Sequence, residues 1–412
     1  MTTLPATSPP SETSISERVA SVGRLLASAG QSFLSSLPTP VRTSSDLVKA
    51  AGVNKDVASR FLMALGKHDP LAVVYYMPGV EGLRRLSRAA RPPAAPAFDE
   101  AIAAFERLLE DDLGGRHALD AIASAWLPEA RERFEAASRQ MAFRAAANLR
   151  GVECQAEITT TIIPPGDNPE RFDAVSVSAI MGVRRLRPAV PLTIATFATL
   201  GDPASSPHLT LDGRPFPADH PPVELLHGYG RGDPPPLRAA RFGDCTAFQV
   251  VGDALGAGAE GDAVFGHYVP ASFRRRAKKP GDAISLLHII EVPAQRLIMD
   301  ALVHPDVWPG RDPELSFFNT TIRGYALPDD PSRAADRMDF VDTVRRIGAG
   351  VDCCRIAEMP RYVDLLRHAC ELRGWDPSCF RVYRLDTRYP VSGVQYVVSF
   401  RQDDPPAPDA AA

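Results

Sequence analysis

The feature that most constrains this chain is a change of hydrophobic rhythm near residue 150. Before it, apolar residues recur every three to four positions. After it, runs of Ile, Val and Thr follow one another at shorter spacing. A chain with that switch folds as a helical segment followed by a segment with sheets. At 412 residues it is long enough for two or three domains. The fold class expected is multidomain: an all-α, winged helix-turn-helix N-terminal domain, a helical connector and an α+β C-terminal domain.

The expected boundaries follow from composition. Residues 1–12 are rich in Thr, Pro and Ser and are expected to be disordered, as are 403–412. Met1 to Ser11 has neither the basic start nor the apolar core of a secretion signal. Residues 13–92 form the first domain, closed by Pro92-Pro93-Ala94-Ala95-Pro96. Residues 93–150 form the connector, with apolar faces suited to a homodimer contact. Residues 151–402 form the α+β domain. Within it, strands are expected at 157–163, 174–180, 192–197, 283–292, 381–388 and 393–400, and helices at 334–347 and 360–373.

Charge and cysteine usage exclude several classes. The net charge is −4, so a nucleic-acid surface has to be local. No apolar run is long enough to span a bilayer, so no membrane partner is expected. The six cysteines form no C-x-x-C pair, which points to reduced thiols in a cytoplasmic protein. No histidine has a partner at metal-ligand spacing, and no G-x-S-x-G elbow is present, so neither a metal site nor a hydrolase triad is expected. Gly256-Ala257-Gly258-Ala259-Glu260-Gly261 matches the dinucleotide pattern in letters only. The residues after it look extended rather than helical, so no cofactor is assigned.

The most informative stretch is Asp46 to Leu62. Leu47 and Val48 give a first short helix its apolar contacts, Gly52 ends it, and Val53 plugs the corner. Asn54 is placed to cap a second helix, from which Val57, Phe61, Leu62 and Leu65 point inward. Lys55, Asp56, Ser59 and Arg60 are left on the outer face, where Arg and Ser can bond base edges. Ser44 and Ser45 are expected to cap the first helix and offer N–H groups to a phosphate, with Lys49 beside them. Residues 38–92 hold nine Lys or Arg against four Asp or Glu, a local +5.

The run Asp-Leu-Val-Lys-Ala-Ala-Gly-Val-Asn with Ala58-Ser59-Arg60 resembles the helix-turn-helix of LacI-type repressors. Lys55, Arg60, Leu62 and Leu65, followed by a strand and a further helix, are similar to the winged helix of the IclR family. The resemblance covers about 50 of the 412 residues. It implies a bacterial transcriptional regulator that binds double-stranded DNA, with Leu71 to Pro78 as the wing. The C-terminal domain would then sense a small-molecule effector or mediate assembly. The alternative is an enzyme, such as a small-molecule methyltransferase, whose winged helix only dimerises.

Overall fold

In the computed structural model, residues 14–402 are described, apart from 189–191, 199–206, 218–219, 253 and 280. The expected disordered ends, 1–12 and 403–412, lie outside them. Backbone proximity divides the chain into residues 1–135 and 136–412. The described part of the first unit is helical. The second is dominated by mixed sheets, so the chain is a multidomain α+β protein.

The first unit contains α1 (Ile15–Ser36), α2 (Ser44–Ala51), α3 (Lys55–Leu65), α4 (Pro70–Tyr76), α5 (Val80–Ser87), α6 (Ala94–Arg107) and α7 (Arg116–Trp126); the division falls within α8 (Pro128–Arg150). Ser14 starts α1 with a capping box, its hydroxyl accepting from the Glu17 N–H while the Glu17 carboxylate accepts from the Ser14 N–H. The core is drawn from α1 through α7. At its centre Phe33 stacks on Phe98 with ring centroids 4.9 Å apart, and both meet Phe61 edge-on. The helices from residue 94 to 126 thus share the core of the first unit.

The expected wing is not there. Residues 70–76 form α4, because Pro70 sits at the first helical position and the Asp69 carboxylate accepts from the Leu71 N–H at 2.9 Å. The strand-like run Leu71 to Met77 reflects burial instead: Leu71, Ala72, Val73, Val74, Tyr76 and Met77 are all in the core. A short apolar run reads the same whether it becomes a buried strand or a buried helix.

The second unit is built from 15 strands and one further helix among the described residues. The strands are β1 (Val152–Glu153), β2 (Ala156–Ile163), β3 (Arg171–Arg185), β4 (Leu192–Ala198), β5 (Glu224–Leu225), β6 (Leu237–Phe242), β7 (Cys245–Val250) and β8 (Gly261–Arg274). They continue with β9 (Ala283–Ile289), β10 (Arg296–Val303), β11 (Glu314–Asn319), β12 (Arg337–Met338), β13 (Arg345–Ala349), β14 (Arg381–Arg388) and β15 (Val394–Arg401). The helix is α9 (Tyr362–Leu372). The largest sheet runs β13-β14-β10-β2-β3-β8-β5, with β1 paired to β3. In it β2 and β10 are parallel, while the other recorded pairs are antiparallel. A second sheet runs β12-β11-β15-β9 and a third β4-β7-β6.

Strand alternation gives the large sheet two different faces. Ile158, Ile162, Val177, Ala179, Ile298 and Leu302 pack against Tyr362, Leu365, Leu366 and Ala369 of α9. On the other face, Leu297, Met299 and Leu385 meet Leu286, Tyr396 and Val398 of the second sheet. Ile180 and Phe265 meet Ile194 and Phe248 of the third.

The helix expected over 334–347 is not formed. A 3-10 turn spans Pro331–Asp336, Met338 pairs with Phe317, and Asp342 receives bonds from Arg139 and Thr387. Sheet pairing and these side-chain bonds outweigh the local helical pattern.

The closest helix approach gives a direct test. A Cβ on Gly23 of α1 would lie 2.2 Å from the Pro70 carbonyl oxygen, a rigid backbone atom. Gly23→Ala should therefore cost about 1–3 kcal/mol in urea unfolding, although alanine favours helices elsewhere.

Candidate functional site

The α2–α3 corner is made by three residues, Gly52-Val53-Asn54. Gly52 takes φ +66°, and its N–H bonds the Val48 carbonyl at 2.9 Å, closing α2. Asn54 starts α3: its Oδ1 accepts from the Val57 N–H at 2.8 Å. Val53 and Phe61 are buried, and Val57, Leu62 and Leu65 pack on the same core. The cap of α2 needs correction. Thr43, not Ser44 or Ser45, is the N-cap, in a capping box with Asp46. The Thr43 hydrogen bonds hold the Asp46 carboxyl below its usual range. Ser44 is half-buried in the first turn and Ser45 is exposed.

The outer side chains stand free of the core. Lys49, Asn54, Lys55, Asp56, Ser59 and Arg60 are all exposed. Neighbouring cations are engaged: Lys67 by Glu129, Arg84 by Glu106, Arg85 by Glu81 and Arg116 by Asp120. Among the described residues, Lys49, Lys55 and Arg60 enter no ion pair. Arg60 lies close enough to Arg116 that its charge adds to the burial that lowers the Arg116 pKa. Arg116 in turn donates to the Met77 carbonyl at 3.0 Å and to that of Tyr75, satisfying the C-terminal end of α4.

A second candidate lies in the sheet unit, where residue patterns had marked strands but no site. A cavity of about 250 Å³ opens between the large sheet and the two sheets that cover it. Its walls come from β2 and β3 (Glu157, Thr159, Ser176, Ser178), from β4 (Ile194 to Phe197) and from β9 (Leu287 to Ile289), with Glu291 and Tyr325. The register explains the polar floor: Thr159 lies opposite Ser178 and Thr161 opposite Ser176, so hydroxyls line up across the strands. A smaller recess of about 80 Å³ shares Thr159, Ser176 and Leu287 with it.

Two carboxylates define the electrostatics. Glu157 is 1% exposed and accepts from His288 Nε2 at 2.6 Å and from the Val292 N–H at 3.0 Å. Glu291 Oε2 is buried without a hydrogen-bond partner. Burial pushes the Glu291 pKa up and the nearby Glu157 adds to the shift, against a bond from Thr196. Tyr325 at the edge has its phenol raised by burial and by Glu291. Its loop is tied down twice. The buried Arg333 donates to the carbonyls of Arg323, Gly324 and Tyr325, and Gln395 brackets the backbone of Ala326.

Other motifs are absorbed by structure. Gly256–Ala259 is a 3-10 turn that runs into strand β8, so no helix N-terminus faces that loop. Arg185 is 4% exposed and donates to the carbonyls of Val250 and Gly252, while Arg184 pairs with Glu153. Arg275, in the basic run Arg274-Arg275-Arg276-Ala277-Lys278-Lys279, lies over the Phe172 ring. Cys354 is buried, and burial raises its thiol pKa. Tyr362, Phe380, Tyr383 and Tyr396 are core residues.

The cavity residues carried one sequence signal. Glu157 and Glu291 interrupt Ile- and Val-rich strand segments, where a carboxylate is rarely buried unless paired. The partner, His288, is 131 residues from Glu157, and spacing alone does not connect them. No known protein family matches the chain, and no curated protein sequence matches it. Among the described residues no helix is long and apolar enough to cross a membrane, and no group of three or more His, Cys, Asp or Glu is placed to hold a metal ion.

The raised Glu291 pKa has a signed consequence. Above its folded pKa the ionised carboxylate destabilises the fold; as pH falls through that value the penalty is relieved. Glu291→Gln should therefore unfold at higher urea than the parent at about pH 8, with the gap closing toward about pH 4.

Proposed function

We propose that the first unit binds double-stranded DNA and that the chain is a sequence-specific transcriptional regulator. The observation that carries this reading is the α2–α3 corner with its unpaired outer cations. Gly52 and Asn54 set a three-residue corner, and Lys49, Lys55, Ser59 and Arg60 stand exposed around it. They belong to a segment of net +5 in a chain of net −4, the local asymmetry that phosphate neutralisation requires. In this reading α3 enters the major groove. Arg60 and Ser59 read base edges, and Lys49 and Lys55 contact phosphates. In this reading the N–H groups of Ser44 and Ser45, ahead of the capped Asp46, face a phosphate, while Asp56 and Asn54 flank the reading face. The second unit, in the same reading, is the sensing unit.

The proposal departs from a winged helix, since α4 and α5 follow α3 where a wing would stand. Base reading therefore falls to α3 alone, and backbone contacts fall to the ends of α2 and α3.

Fluorescence anisotropy on duplex fragments at several salt concentrations tests this. Binding should weaken steeply with salt. Lys49→Ala should lower the salt slope by about 1 on every sequence, whereas Arg60→Ala should cost about 1–3 kcal/mol on the preferred sequence and little on others. Folded protein that binds no duplex at low salt, or identical small effects from both variants, contradicts the reading.

A further inference from the structure

We infer that the cavity between the three sheets of the second unit is a binding site for a small organic cation, with an ammonium head against Glu291 and a compact apolar body. This stands independently of the DNA-binding reading.

The chemistry of the lining selects the ligand. Two carboxylates face this space, and among the described residues that line it there is no Lys or Arg, Arg150 acting on Glu291 from outside the lining. Glu157 already holds two donors, His288 and the Val292 N–H. Glu291 has one oxygen buried with no partner, and that oxygen calls for a donor. An anion would be repelled by both carboxylates. A neutral apolar molecule would exclude water and leave the Glu291 oxygen unpaired, a costly arrangement. An ammonium group brings positive charge and three donors, enough for Glu291 and the hydroxyls beside it. Ile194, Phe197 and Ile289 supply apolar wall for the rest of the molecule, and an aromatic face such as that of Phe197 attracts cations. The space, about 250 Å³, suits a small ligand rather than a peptide or nucleotide. A divalent metal is a poorer match, since no set of three ligating side chains is placed to hold one among the described residues.

The raised Glu291 pKa agrees with this geometry. Burial disfavours the charged carboxylate, and a bound cation would offset that cost.

The test uses the full chain and three ligands of one shape: benzylammonium, benzyl alcohol and benzoate, compared by titration calorimetry. Benzylammonium should bind at least tenfold more tightly than benzyl alcohol, and benzoate should give no saturable heat. Glu291→Gln, with its thermal transition intact, should bring the amine and the alcohol within twofold of each other, and Glu291→Asp should keep the preference for the amine. The inference is overturned if none of the three binds the parent chain. It is equally overturned if the alcohol or benzoate matches the amine, or if folded Glu291→Gln keeps the tenfold preference.

Discussion

The second unit depends on how one buried charge is accommodated. Glu157 sits on β2, inside a sheet covered on both faces, and is 1% exposed. A carboxylate there is tolerated only with donors in place. Those donors are His288 on β9 and the backbone of Val292, so satisfying the charge ties the large sheet to the sheet that covers it. The cavity is what remains where that tie holds the layers and the third sheet closes the side. The opposite face solves the same problem differently. Asp300 on β10 receives two bonds from Arg384 on β14, a buried ion pair within the sheet, and one from the Tyr362 hydroxyl, which fixes α9 to that sheet. Removing one partner of such a pair costs far more than its net contribution to stability suggests.

The first unit follows a simpler logic. Its stability comes from apolar packing around Phe33, Phe61 and Phe98, with helix ends closed locally by Ser14, Thr43, Asn54 and Asp69. Local caps leave little freedom in where α3 begins. The side chains on its far side therefore have defined places without being needed for packing. Lys55, Ser59 and Arg60 are exposed while Phe61 is fully buried, one residue away.

Much of this was legible in the residues because its causes are local. A glycine that takes a positive φ, an asparagine that caps and a helical spacing of apolar side chains act within a few positions, so the α2–α3 corner and α9 were readable. The strands β2, β3, β14 and β15 were readable from their branched and aromatic composition. Elsewhere composition pointed the wrong way, overruled by a local cap in one case and by distant partners in the others. Leu71 to Met77 has strand-like residues, but the Asp69 cap and Pro70 at the first helical position make 70–76 a helix. Residues 334–347 look helical, yet Phe317 and Arg139 draw them into other arrangements. The cavity was invisible for the same reason: Glu157, Thr196, His288 and Tyr325 come from four separate stretches, and only the sheet registers bring them together.

In the proposed reading, the exposed cations around α3 serve DNA and the carboxylate-lined cavity of the sheet unit serves a small ligand. The central claim is that α3 reads sequence, not merely charge. Repeated selection from a library of random duplexes tests it most directly. The account predicts that the chain enriches a short motif, and that Ser59→Ala with Arg60→Ala erases or shifts that motif while the protein remains folded. Enrichment of no motif, or of the same motif by the double variant, would contradict it.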